Sequence, residues 1–180
     1  MNRATTRPAS GRPGSWRGDS TWGPGGGSPF PAGSSMSAPR NKVFVDTNVL
    51  VYAYDRSAGS KRETARETVM ELWRNRRGLI STQVLQEFSA AVLSKIPRPL
   101  GLETVKNVVD DLLHWEVVVN DGRSVLAALD VQFRHRLSFW DALVVQAAVR
   151  GGAAVLCSED FSDGRVFEGV RVMNPFSASP

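Results

Sequence analysis

The chain has 180 residues, of which 42% are hydrophobic and 22% are charged, which is typical of one globular domain with a single core. No apolar run reaches the roughly 20 residues that a membrane span needs, and a single cysteine excludes an internal disulfide framework. The sequence therefore argues against a membrane protein and a disulfide-stapled secreted domain, and it favours a cytoplasmic location.

The formal net charge of +4 comes entirely from residues 1–40, which carry five arginines and one acidic residue. Residues 41–180 carry 17 basic and 17 acidic residues, so net charge does not predict nucleic-acid binding by this part. Residues 1–40 also hold eight of the 16 glycines and six of the ten prolines, which predicts a disordered tail. A translation start at Met36 is an alternative explanation of that segment. A folded domain over residues 41–176 and a short tail, 177–180, complete the predicted organisation.

From Lys42 onward, short β-rich runs alternate with stretches whose apolar residues recur at helical spacing. The predicted strands cover residues 43–45, 79–81, 116–119, 153–157 and 170–173. The predicted helices cover residues 48–54, 61–76, 82–95, 102–114, 124–135 and 140–150. This alternation predicts an α/β fold, in which a parallel sheet is covered by helices on both faces as an α/β/α sandwich.

Local signals refine three of these helices. Gly78 is expected to stop the helix that begins near residue 61, and Thr82 is expected to cap the helix that follows. In the helix over residues 124–135, Val125, Leu129 and Phe133 recur at helical spacing, which predicts that this face is buried.

Acidic residues recur near the ends of the predicted strands. Asp46 follows the first strand, and Glu87 lies in the first turns of the helix after the second. Asp141 opens the helix before the fourth strand, and Asp160 follows that strand. Ligands bind outside the carboxyl ends of the strands in open α/β sheets, so we expect these four side chains to converge on one edge. Carboxylates gathered in this way repel unless a cation neutralises them, and oxygen ligands suit Mg²⁺, with Mn²⁺ as the alternative.

Each acidic residue also has a plainer interpretation. Asp46 and Asp141 suit helix N-caps, Glu87 suits a solvated helix position, and Asp160 suits a turn. However, Asp46 and Asp141 lie within strongly apolar stretches, where solvated charges are rare. Four independent caps need not fall on one sheet edge, so the joint pattern favours a metal site.

Four segments resemble the motifs of PIN domains. Val43–Tyr54 resembles the opening of these domains, in which the first acid ends the first strand. Leu137–Ala148 is similar to their third acidic motif, Leu156–Gly164 to their fourth, and Gln86–Phe88 fits their second. The resemblance covers about residues 42–176, and the subgroup it points to is the VapC-type toxins of bacterial toxin–antitoxin pairs.

The resemblance implies an Mg²⁺-dependent endoribonuclease that hydrolyses RNA phosphodiester bonds. It also implies a homodimer that is held inactive by a cognate antitoxin protein. The residues that match the family's catalytic and metal-binding acids are Asp46, Glu87, Asp141 and Asp160.

Further residues of the matched motifs have less certain roles. Asn48 and Ser158 match polar positions that support the family's site, and turn or cap hydrogen bonding would explain them equally well. Glu159 and Asp163 lie beside Asp160 and are alternatives for the fourth acid. The sequence does not decide between these three.

Other reactive residue types give weaker signals. His114 and His135 have no Cys or His at metal-binding spacing, and Cys157 ends an apolar strand, so all three are interpreted as structural or surface residues. Basic clusters could contact RNA phosphates, although a solvated helix face is the commoner role of such clusters. These clusters are Lys61-Arg62-Arg66, Arg74-Arg76-Arg77 and Arg134-Arg136.

Competing functions remain at this stage. Aspartyl-phosphate hydrolases also place an aspartate after the first strand, but their phosphatase version needs a second aspartate where this chain has Asn48. A PIN-like module that binds RNA or a protein without cleavage, and a structure-specific DNA nuclease on the same fold, remain alternatives. For the inhibitory partner we expect a basic side chain inserted at Asp46, Glu87 and Asp141.

Leu72, Trp73 and Phe88 are candidates for an apolar anchor beside that partner, and burial in the core is the alternative for all three.

Overall fold

The computed structural model describes residues 41–177. The predicted tail, the alternative start at Met36 and residues 178–180 lie outside the described residues. The strands are β1 (Lys42–Val45), β2 (Gly78–Ser81), β3 (Glu116–Val118), β4 (Ala153–Cys157), β5 (Val166–Phe167) and β6 (Val170–Met173). The helices are α1 (Thr47–Tyr54), α2 (Ser60–Asn75), α3 (Thr82–Ser94), α4 (Leu102–Leu112), α5 (Gly122–His135) and α6 (Phe139–Arg150).

The strands form one sheet in the order β3-β2-β1-β4-β6-β5. All neighbouring pairs are parallel except β5 and β6, which are antiparallel. The predicted α/β fold with a parallel sheet is confirmed. Strand β5 was not predicted, because two residues are too few to show a periodic pattern. It joins β6 through a tight turn in which Glu168 and Gly169 both have positive φ.

The core lies on both sides of β1, where Val43, Phe44 and Val45 are completely buried. Helix α1 packs on both α2 and α3, and α3 also packs on α4, while α5 packs chiefly on α6. Such a sheet brings the carboxyl ends of β1, β2 and β4 to one edge, where the chain continues into polar residues. Within residues 41–177, no helix has the length and apolar character to cross a membrane.

The predicted burial of the apolar face of α5 is wrong. Val125, Leu129 and Phe133 are 41%, 47% and 87% exposed. Helix α5 instead packs through the face on which Ser124, Ala128 and Val131 are buried. Small side chains allow close approach to α6, so the larger apolar stripe is left facing outward.

The predicted ends of two helices are also corrected. Ser81, not Thr82, caps α3 and accepts a hydrogen bond from the Val84 backbone N–H at 3.3 Å. Helix α2 ends at Asn75 and is capped by Arg76 in a left-handed conformation, so Gly78 is not the residue that stops it. Gly78 belongs to β2, where the Trp115 ring would lie 2.3 Å from an added Cβ. Ring packing, and not helix termination, therefore requires this glycine.

Candidate functional site

Asp46 lies where β1 ends and α1 begins. Its carboxylate accepts a hydrogen bond from the Thr47 backbone N–H at 2.7 Å, so it caps α1. Its own N–H donates to the Cys157 carbonyl at 3.0 Å, which aligns the ends of β1 and β4. The side chain is only 6% exposed, so the cap is also a nearly buried carboxylate.

Asn48 and Ser158 connect Asp46 to Asp160. The Ser158 hydroxyl donates to Asp46 Oδ2 at 2.6 Å. Asn48 Nδ2 donates to Asp160 Oδ2 at 2.9 Å and lies 3.2 Å from Ser158 Oγ and 3.4 Å from Asp46 Oδ2. The Asp160 backbone N–H donates to Ser158 Oγ at 3.1 Å. The two carboxylates are therefore held side by side by shared donors.

Glu87 joins this network through residues that sequence reasoning missed. Thr47 Oγ1 donates to Glu87 Oε2 at 2.7 Å, and Gln83 Nε2 donates to Glu87 Oε1 at 2.9 Å. Gln83 is buried and lies one helical turn before Glu87. A glutamine at that spacing from a site glutamate was the available signal. Nothing in the sequence around Thr47 singles out its hydroxyl.

Asp141 lies in the first turn of α6, where it is half-buried. Ser138 caps the helix and accepts a hydrogen bond from the Asp141 N–H at 3.1 Å, so Asp141 is not the cap. Gln83 Nε2 lies 3.4 Å from the Trp140 carbonyl and links this turn to α3. Within residues 41–177, no hydrogen bond joins the Asp141 carboxylate to the other three acids. Asp141 is therefore adjacent to the network but not part of it.

Two alternatives to Asp160 have other partners. Glu159 accepts hydrogen bonds from the Tyr52 hydroxyl and from Lys61 Nζ, the latter at 2.5 Å. Asp163 Oδ1 accepts from the Asn174 backbone N–H at 2.8 Å. Asp160 is the acid of this segment that contacts Asn48.

The electrostatics distinguish Asp46 from an ordinary surface acid. The pKa of Asp46 is raised to about 6, chiefly by burial and also by the nearby Asp160 and Glu87 charges, while hydrogen bonds from Ser158 and Thr47 oppose the rise. A positive charge beside the Asp46 carboxylate would stabilise its ionised form. The same burial, together with Asp46, raises the pKa of the Cys157 thiol, so this cysteine does not act as a nucleophile.

The two histidines have structural contacts. His135 Nε2 lies 2.7 Å from Glu168 Oε1, and His114 Nδ1 lies 3.1 Å from the Asp110 carbonyl. Arg134 also pairs with Glu168, at 2.8 Å. None of these contacts involves the acids of the network, as expected from the sequence.

The donors fit a hard cation by their chemistry but do not form a closed cage. Across residues 41–177, no three His, Cys, Asp or Glu side chains are grouped so that they could hold a metal ion together. Asn48 turns its Nδ2 toward the Asp46 and Asp160 carboxylates, while its Oδ1 is buried without a hydrogen-bond partner. Magnesium is usually bound through one or two carboxylates and keeps several waters, so the Asp46 and Asp160 carboxylates suit it.

Comparison with known proteins identifies the family of the chain. The family model of the PIN domain matches residues 43–163. The chain belongs to the PIN domain family. The resemblance drawn from Val43–Tyr54, Leu137–Ala148 and Leu156–Gly164 is thereby confirmed. No curated protein sequence matches the chain at a significant level.

Two solved structures share the fold. A toxin–antitoxin complex from Klebsiella pneumoniae is 16% identical and superimposes with a TM-score of 0.56, covering 75% of this chain and 98% of that chain. VapBC2 from Rickettsia felis, bound to a DNA fragment from its promoter, is 16% identical with a TM-score of 0.54. That match covers 73% of this chain and 97% of the other. At this identity the likeness concerns the fold alone.

Proposed function

We propose that this PIN protein is an Mg²⁺-dependent endoribonuclease that acts as the toxin of a toxin–antitoxin pair. The observation that carries the proposal is the pairing of Asp46 and Asp160 through Asn48 and Ser158 at the carboxyl edge of the sheet. This arrangement places the Asp160 charge beside the nearly buried Asp46 carboxylate, which a structural cap alone does not require.

The acids divide into two roles in this proposal. Asp46 and Asp160 would hold the ion, and Glu87 would add negative charge from α3. A bound Mg²⁺ neutralises phosphate charge and lowers the pKa of a water molecule. Asp141, at the start of α6, orients the attacking water from the adjacent position. Thr47 and Gln83 fix the Glu87 carboxylate so that it does not rotate away.

A basic surface near the start of α6 supports RNA as the substrate. Arg136 and Arg134 line a cavity of about 610 Å³ together with Phe133, at the end of α5. A polyanion that enters the site past α6 would meet these guanidinium groups, which bind phosphate bidentately. Arg134 is shared with Glu168, so Arg136 is the stronger candidate for phosphate contact.

A cleavage assay tests the proposal directly. Single-stranded RNA labelled at one end is incubated with the protein and Mg²⁺, with EDTA in place of Mg²⁺, or with the Asp46→Asn variant. Asp130→Asn is the matched control, because Asp130 is an exposed acid on α5. We expect cleavage only with Mg²⁺ and an intact Asp46. Equal cleavage by Asp46→Asn would contradict the proposal, and tight RNA binding without cleavage would favour the non-catalytic module.

The same assay with single-stranded DNA of matching sequence distinguishes a ribonuclease from the remaining alternative, a DNA nuclease. Preferential cleavage of DNA would assign the site to a DNA nuclease on the PIN fold.

The antitoxin part of the proposal rests on the similar solved structures and on an apolar groove. The anchor predicted around Leu72, Trp73 and Phe88 is wrong as a surface, because Leu72 and Phe88 are completely buried and Trp73 is partly buried against the core. A groove of about 350 Å³ between α3 and α4 is the better docking place for an amphipathic antitoxin segment. Its apolar residues include Leu93, Leu102 and Leu113, which are exposed.

The homodimer is assigned to the outward stripe of α5. Val125, Leu126, Leu129 and Phe133 form a continuous apolar row along this helix, and all four are exposed. A row of large apolar side chains on a surface favours burial against another protein. A helix face that packs on its symmetry-related copy forms the self-complementary interface of a twofold dimer.

A further inference from the structure

Glu159 differs from both of its neighbours in where its side chain is held. Ser158 and Asp160 contact the network around Asp46 and Asn48, whereas Glu159 contacts Tyr52 on α1 and Lys61 on α2. Its side chain is 18% exposed, and that of Lys61 is 43% exposed. Glu159 therefore holds the segment 158–160 through contacts to α1 and α2 that are separate from the contacts of the acids.

The partners of Glu159 are themselves tightly connected. Lys61 Nζ lies 4.8 Å from the centre of the Tyr52 ring and 5.4 Å from that of Phe176. The two rings pack edge to face, with centroids 5.2 Å apart at 85°. We call Tyr52, Lys61, Glu159 and Phe176 the Glu159 anchor. It joins α1, α2, the segment after β4 and the segment after β6.

The bonds of the anchor are charge-assisted. The hydrogen bond to Glu159 raises the pKa of Tyr52 and of Lys61 above their ordinary values, so both donors keep their protons at neutral pH. Hydrogen bonds to an ionised group are shorter and stronger than neutral ones. The anchor therefore restrains the segment that follows the end of β4.

We propose that Glu159 is a positioning residue, whose bonds to Tyr52 and Lys61 hold Ser158 and Asp160 against Asp46 and Asn48. Glu159 touches no substrate and acts through the residues on either side of it. Asp160 is exposed and depends on Asn48 and on the Ser158 hydroxyl for its position. Because the segment is short, release of Glu159 loosens both neighbours. The inference rests on the proposed metal-dependent function.

Three conservative variants test the anchor. Glu159→Gln removes the charge, Lys61→Met keeps the apolar stem over the rings, and Tyr52→Phe keeps the ring but removes the hydroxyl. Glu103→Gln is the matched control, because Glu103 pairs with Lys106 on the exposed face of α4 at 2.9 Å. Each protein is examined by hydrogen exchange of the Asp160 amide without metal, by Mn²⁺ calorimetry and by thermal unfolding.

The expected results distinguish a positioning role of Glu159 from a contribution to stability alone. Exchange of the Asp160 amide accelerates in the three variants, and their Mn²⁺ dissociation constants rise by about 10-fold or more, as is usual when a supporting residue of a metal site is lost. Excess Mg²⁺ restores the cleavage rate, and the control behaves like the parent protein. A lower melting temperature with unchanged exchange and unchanged Mn²⁺ affinity would overturn the inference.

The exchange measurement also separates this inference from the proposed function. If the parent protein binds no Mn²⁺ and cleaves no RNA, the proposed function fails. In that case, faster exchange of the Asp160 amide in the variants still shows that Glu159 positions the segment, and unchanged exchange overturns the positioning role as well.

Discussion

Ser158 Oγ lies 2.6 Å from Asp46 Oδ2, although the two residues are 112 positions apart in the chain. The contact exists because β1 and β4 are parallel neighbours, with Val45 opposite Cys157. Asp46 and Ser158 directly follow these two strands, so both lie at the same edge of the sheet. The bond is also the largest influence that lowers the pKa of the Asp46 carboxyl against its burial.

Ser158→Ala should therefore destabilise the protein and raise the pKa of Asp46 above 6. The substitution leaves a carboxylate oxygen without its buried donor, which costs about 1–3 kcal/mol of unfolding free energy at neutral pH. Urea unfolding measures the loss, and Ser94→Ala, at an exposed helical serine, is the control. Equal stability of the two variants would show that the bond contributes little.

Asp46→Asn should abolish cleavage and leave the metal-free protein as stable as the parent or more stable. Asparagine caps helices as well as aspartate does, and it removes a desolvated charge that lies close to Asp160 and Glu87. Thermal melts in EDTA and the RNA cleavage assay check both parts. A large drop in melting temperature would mean that Asp46 is mainly a structural cap.

The raised pKa of Asp46 also predicts a pH dependence of stability. The folded pKa is about 6 and the ordinary value is 3.8, so the folded state binds this proton more tightly than the unfolded state. The resulting stabilisation is fully present below pH 3.8 and is lost as pH rises through about 6. We expect metal-free wild-type protein to lose on the order of 3 kcal/mol relative to Asp46→Asn across this window. Urea titrations at several pH values would refute this if both proteins showed the same profile.

An inhibitory partner should compete with Mg²⁺. An arginine of the partner that reaches Asp46 and Glu87 would bind carboxylates that the ion also requires. A small basic protein that inhibits the chain is the test partner, with affinity measured by calorimetry with and without excess Mg²⁺. Weaker binding with Mg²⁺, and weaker binding to Asp46→Asn, are expected. Indifference to both changes would place the inhibitory contact elsewhere, such as the groove between α3 and α4.

Phe133→Asp should convert the proposed dimer into a monomer. Phe133 is the most exposed large apolar residue of the α5 stripe, and a charge there opposes burial against a second copy. The dimer dissociation constant should rise by about 100-fold, measured by sedimentation. Val119→Asp is the control, since Val119 is exposed outside the stripe. A parent protein that is monomeric at all concentrations would contradict the assignment.

The convergence of Asp46 with the segment after β4 was predictable because strand ends are predictable. Asp46 and Asp160 follow apolar runs that the sequence marks clearly as β1 and β4, and sheet topology alone brings such positions together. Their connection through Asn48 was not predictable in detail, because it depends on side-chain conformations. The same holds for Thr47, whose hydrogen bond to Glu87 crosses from α1 to α3, and for the contact of Gln83 with the Trp140 carbonyl on α6.

The exposed stripe of α5 shows a different limit of sequence reasoning. Periodicity indicates which residues share a helix face, but it does not say whether the protein's own core or another protein covers that face. In α5 both faces can pack, one through Ser124 and Ala128 and the other through Phe133 and Leu129. The face that carries Ser124 and Ala128 is the one that packs against α6.

The sole thiol of the chain has a practical consequence for experiments. Cys157 is completely buried and stays protonated, so thiol-directed reagents leave it unmodified in the folded protein. A single cysteine introduced at a chosen surface position therefore becomes the one reactive attachment point. Spin labels or fluorophores can then report distances between subunits, or between protein and RNA, without removal of the native residue.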